Sequence, residues 1–238
     1  MHLHEKTFDP GLRPPDLTAM FFGPSAALCS LKERPHWLCA LLIAAGWSVA
    51  VNFYVVGRIG FARLLSVAVQ ANATIDPQTV LQNALERKTM IFAVQGISTF
   101  LGTFVTALIV AKVLWLVATV IGVDLHFRRV LAVVAHVAML VSVVRESMLA
   151  LTVTAMRNLD NFDMRNPLAT NLAFFFRPDS PVVFRLLASL DILTLANVFL
   201  LALGLSKVSD DLSLRKAGLL VAVPWGFYVV GSALLPSL

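Results

Sequence analysis

Near its carboxyl end the chain carries two apolar runs, roughly 186–205 and 217–234, separated by the polar stretch SKVSDDLSLRK. Crossing a hydrocarbon core of about 30 Å takes about 20 apolar residues of helix at 1.5 Å per residue, and each run is about that long. The connector has room only for a tight turn. The pair reads as a transmembrane hairpin with a charged tip, which restricts the fold severely. In lipid every backbone N–H and C=O must be bonded internally, so only helices or a closed barrel can span.

Composition extends that reading to the whole chain. Hydrophobic residues make up 58% of it and charged residues 14%, with a mean hydropathy of +0.80. A soluble domain carries about 25% charged residues. Five spans are predicted, at about 37–56, 90–115, 130–156, 186–205 and 217–234, in one all-α bundle that makes up a membrane domain from 37 to 238. No internal repeat or soluble domain is visible. The formal charge of +5 fits basic loops near anionic headgroups, not nucleic-acid binding. Cys29 and Cys39 read as free thiols, without a disulfide framework.

Residues 1–36 read as a cytosolic or interfacial lead. Prolines make it irregular, apart from an amphipathic piece around 17–31 whose Met20, Phe21, Phe22, Ala27, Leu28 and Leu31 suit the bilayer surface. The amino terminus has no basic stretch followed by an apolar core, so the first span is expected to act as the insertion signal. Trp37 opens span 1 at the interface. Asp76 and Pro77 form a cap and first turn from which one long helix is expected to continue into span 2. Ser180 and Pro181 do the same ahead of span 4. Gly96 and Gly102, with Ser98 and Thr103, give span 2 a small-residue face for close helix contact. Basic residues are shared almost equally between the two sides. The compact connectors after spans 2 and 4 are basic, which favours a cytoplasmic amino terminus and a periplasmic carboxyl terminus.

Ionisable side chains within spans are costly and are functional candidates by default; here they are Lys112, Arg145, Glu146 and Asp191. One reading has Asp191 pair with Arg145, or with a donor on span 2, to line a polar path. The other, which their small number favours, has these groups fix the bundle by pairing between helices. His136 is a weak candidate for a haem or pigment ligand; a partner histidine would have to be His126 or His36, which stand at no recognisable ligand spacing, whereas an axial ligand to a chlorophyll magnesium needs no partner, and a packing role is favoured. No glycine-rich phosphate loop, HExxH, CxxC or serine elbow occurs. Asn72-Ala73-Thr74 matches the three-residue glycosylation pattern, which is common by chance.

The stretch SLDILTLANVFLLALGLSKVSDDLSLRKAGLLVAVPWGFYV resembles the last two spans of the Yip (Ypt-interacting protein) domain family in its bacterial branch. The likeness rests on Asp191 after Ser189-Leu190, Gly204, Ser209, Lys216-Ala217 and Pro224-Trp225. It extends upstream to NPLATNLAFFF and FFGPSAALCSLKERPHWL. The resemblance implies a five-span helical domain in a bacterial inner membrane with its amino terminus in the cytoplasm. It carries no activity across, and the small-GTPase partners of eukaryotic relatives would need a cytosolic region this chain lacks. The expected function is a non-enzymatic scaffold for lipid or other membrane proteins, with homo-oligomers open. An accessory subunit of an energy-converting or export complex and a small transporter component are the alternatives. No cofactor or metal is expected, and a pigment or haem only within a larger complex.

Overall fold

A computed structural model describes residues 17–61, 63, 77–159, 162–163 and 166–234. Every regular element in these residues is helical. In chain order they are α1 (Ala19–Phe22), α2 (Pro24–Ser30), α3 (Leu38–Ile59), α4 (Pro77–Glu86), α5 (Lys88–Val120), α6 (Phe127–Ala155), α7 (Leu172–Phe176), α8 (Pro181–Ser189), α9 (Ile192–Val208) and α10 (Leu214–Leu234). Among them α3, α5, α6 and α10 are long and apolar enough to cross a membrane, the architecture of a multi-pass membrane protein. The cap expected at Asp76, the Asn72-Ala73-Thr74 match and the prolines of the first 15 residues lie outside the described residues.

The bundle is built around α6, against which α3, α5 and α9 all pack. Every residue from Val130 to Val137 is buried, as is Met139. This helix corresponds to the least apolar of the predicted spans, yet it is the best covered. The two facts share a cause. A span enclosed by protein can carry His, Arg and Glu that a lipid-facing span cannot, because neighbouring helices supply partners that lipid tails lack. By contrast α5, the most apolar, leaves Val94, Ile97, Leu101, Val105 and Ile109 exposed.

Close packing depends on small residues. Ala40, Ala44 and Ala45 of α3 are buried, and Tyr54 meets the Thr154 hydroxyl at 2.6 Å near the far ends of α3 and α6, so these two helices run parallel. On α9, Gly204 sits against Val133 of α6 and Leu28 of α2. On α5, Gly96 is approached by the Phe53 ring, whereas Gly102 meets open space, so the small-residue face of span 2 is used at one glycine and not the other.

Three sequence expectations need correction. The predicted span at 186–205 is not one helix, since α8 ends at Ser189 and α9 begins at Ile192. Leu190 leaves helical geometry and Asp191 caps the new helix, whose 17 residues rise only about 26 Å. The break stops the backbone where the apolar pattern runs straight through. Likewise the helix from Pro77 does not run unbroken into span 2, because a turn at Arg87 separates α4 from α5. Finally, the lead does not lay Met20, Leu28 and Leu31 on a surface. All three are buried in the core, with α2 seated on α9, and Phe22 alone is almost fully exposed. An ion pair between Lys32 and Asp210 ties the lead to the α9–α10 turn.

Candidate functional site

The interruption between α8 and α9 is where polar chemistry gathers. An Asp after a short non-helical link is a strong N-cap, and Asp191 Oδ1 accepts the Leu193 N–H at 2.7 Å. Its second oxygen accepts the Thr170 hydroxyl at 2.8 Å, and Ile192 N–H donates to Thr170 O at 3.1 Å. These bonds stitch the loop ahead of α7 to the start of α9 through an isolated antiparallel bridge between Asn171 and Asp191. Within that loop the buried amides of Asn166 and Asn171 pair with each other, at 2.6 and 3.2 Å between nitrogen and oxygen. Asn171 also caps α7 by accepting the Phe174 N–H at 3.0 Å.

Asn166, Asn171 and Asp191 line an open cavity of about 280 Å³ together with Arg145 of α6 and Thr194 and Asn197 of α9. Val141, Ala188 and Leu193 supply its apolar side. A second pocket of about 640 Å³ shares Asn166 and Pro167 with the first and is bordered by Met156, Phe162, Phe174 and Phe184. Arg145 and Asp191 therefore line one cavity, as the polar-path reading requires, but no ion pair joins them. Asp191 is engaged in capping and loop anchoring, and the guanidinium stays available to a ligand. A planar guanidinium presents several donors in a fork that matches phosphate or carboxylate.

The remaining candidates lie elsewhere. Lys112 stands over the Trp115 ring at 4.0 Å and within 5.8 Å of the Phe127 ring, at the start of α6. Arg145 is 18 residues farther along that helix, about 27 Å away by helical rise. Lys112, Glu146 and Asp191 thus do not converge on one path. Glu146 follows Arg145 in the chain and feels its charge, without lining either pocket. His136 is buried in α6, with Nδ1 against Ala132 O at 2.8 Å, and His126 is merely the N-cap position of the same helix. Among the resemblance residues, Gly204 is a contact point for α6, and Ser209 is buried in the turn, accepting the Asp211 N–H at 3.3 Å. Lys216 is exposed in the first turn of α10, and Pro224 and Trp225 lie inside α10.

Sequence reasoning missed Asn166, Asn171, Thr170, Thr194 and Asn197. A usable signal existed in Asp191 followed by an apolar run, the pattern of a helix start, which marks the break on which the cavity depends. At the opposite end of the bundle, outside the spans, the hydrogen bond from the Lys32 ammonium holds the Asp210 carboxyl below the usual carboxylate range, and the Lys32 charge adds to it. Among the described residues no cluster of three or more His, Cys, Asp or Glu side chains suits a metal ion. No protein-family model, curated protein or solved structure matches the chain.

Proposed function

We propose that the chain is a non-enzymatic, lipid-binding scaffold of a bacterial inner membrane. In this reading α8 and α9 together make a fourth crossing of five, with the amino terminus cytoplasmic and the carboxyl terminus periplasmic. The likeness of residues 189–229 to the Yip domain belongs to the same proposal. The observation that carries it is the cavity at the α8–α9 break, where Arg145 shares the lining with the amides of Asn166, Asn171 and Asn197 and the Thr194 hydroxyl, beside a mixed pocket edged by Phe162, Phe174 and Phe184 that also carries Asp163 and Arg177. A guanidinium for a phosphate and an aromatic-edged pocket for part of an acyl chain is the donor set a phospholipid asks for.

The test is the protein purified in mild detergent, with retained lipid identified by native mass spectrometry and then exchanged against phosphatidylglycerol, phosphatidylethanolamine and phosphatidylcholine. Wild type should retain a phospholipid, and Arg145→Gln should lose at least about tenfold in retention, the cost of one charge-assisted contact. Lipid no more abundant than the detergent background, or equal retention by the variant, refutes the reading.

A second reading, a small transporter component, draws on the break itself, because interrupted membrane helices place helix termini and free backbone groups at substrate sites. Under it, liposomes holding the protein show solute flux that Asp191→Asn abolishes with the fold intact. A stable partner protein on pull-down would point instead to an accessory subunit.

A further inference from the structure

Two imidazoles, His136 buried and His36 half-buried, stand apart from the cavity and have no part in the reading above. His136 is 2% exposed, and its Nδ1 must be the donor to Ala132 O, because a carbonyl only accepts. In the neutral ring that bond leaves Nε2 as a lone pair, and Nε2 is buried with no hydrogen-bond partner. His36, at the junction of the lead and α3, also has a buried Nε2 with no partner. The two rings are close enough to interact electrostatically. Packing explains how they come near. The parallel helices α3 and α6 hold Tyr54 against Thr154 near their far ends, so the start of α3, just after His36, lies in the same half of the bundle as His136.

An Nδ1–H bonded to a backbone carbonyl is the usual way a metal-ligating imidazole is oriented and its tautomer fixed. The donor set then selects the ion. Zinc asks for about four ligands, whereas two neutral nitrogens, with no cluster of three or more His, Cys, Asp or Glu among the described residues, are a sparse set. A monovalent d10 cation is satisfied by two ligands in line, and it brings a single charge into an apolar interior where each further charge is expensive. Imidazole nitrogen suits copper. We propose that His36 and His136 bind one Cu(I) through their unpartnered Nε2 atoms, fastening the lead–α3 junction to the central helix.

The experiment uses the full chain in mild detergent, carrying Cys29→Ser and Cys39→Ser so that the two exposed thiols take no copper. Cu(I) is titrated anaerobically against a chromophoric chelator, and the loaded protein is examined by copper X-ray absorption. The expected result is about one Cu(I) per chain with nitrogen scatterers only, and at least about a tenfold loss of affinity in His36→Ala and, separately, in His136→Ala. Since His136→Ala also opens a hole in packed core, His36→Ala at the edge of α3 is the variant whose retained helicity and unfolding temperature make the loss interpretable. Failure of the parent chain to hold Cu(I) against the chelator overturns the proposal. So does unchanged affinity in either histidine variant, since a paired site needs both rings.

Discussion

Gly204 offers the sharpest check on how α2, α6 and α9 fit together. A Cβ built on it lies 3.2 Å from Leu28 Cδ2 and far inside contact distance of Val133 Cγ1. Val133 is fully buried, with Ala132 and Val134 also buried beside it in the same core cluster, so the valine has nowhere to retreat. Overpacking of this kind costs about 3 kcal/mol at the upper end, and the gain from replacing a helix-interior glycine by alanine recovers about 1 kcal/mol of it. Gly204→Ala should therefore destabilise by about 2 kcal/mol, close to a 30-fold change in the folded-to-unfolded ratio. Adding Val133→Ala removes the obstruction, so the double variant should be more stable than the sum of the two single changes by about 1–2 kcal/mol. The assay is thermal unfolding in mild detergent, followed by circular dichroism, for wild type, both single variants and the pair. Gly96→Ala is the contrast. There the added atom meets Phe53 Cζ at 2.9 Å, the far end of a side chain that can turn aside, so the cost should be smaller. A Gly204→Ala protein as stable as wild type, or strict additivity with Val133→Ala, would refute this packing.

Two further tests address the ends of the bundle. Asn171→Ala removes the cap on Phe174 N–H and leaves the buried Asn166 amide without its partner, so it should cost about 1–3 kcal/mol; the same thermal assay would show no shift if the amide pair were ornamental. The Lys32–Asp210 pair predicts a pH effect. Because the folded-state pKa of Asp210 is depressed, its contribution is present above the unfolded value of about 3.9 and fades as pH falls through the lower folded value. A spin label on exposed Cys29, in a Cys39→Ser chain, should keep constant mobility from about pH 5 to 8 and loosen below about pH 4. Asp210→Asn should abolish that dependence, and an identical profile in the variant would sink the assignment.

Periodicity and length carried much of the fold. The spans predicted at 37–56, 90–115, 130–156 and 217–234 each fall on a long apolar helix, because a 20-residue apolar run has few alternatives in lipid. What hydropathy cannot register is a backbone break inside an apolar run. The stretch around Leu190 and Asp191 stays greasy on both sides while the chain leaves and re-forms a helix. Packing partners were equally hidden. The burial of Leu28 against Gly204 arises from helices far apart in sequence, and no spacing rule connects them. Of the polar cavity, Arg145 and Asp191 were visible as charges out of place, but Asn166 and Asn171 sit in a loop whose composition is ordinary, and Asn197 is a single amide within the apolar α9.

Lys32 and Asp210 are separated by 178 residues of chain, and the groove that receives Leu28 includes Gly204 on the penultimate helix. At a synthesis rate of about 5–20 residues per second, the lead emerges about 10–35 s before the surface it needs. During that interval Leu28 lacks the α9 surface against which it packs. The segment made early is thus the last to find its seat, and its arrival certifies that α9 and the turn beyond it have been inserted in the right place.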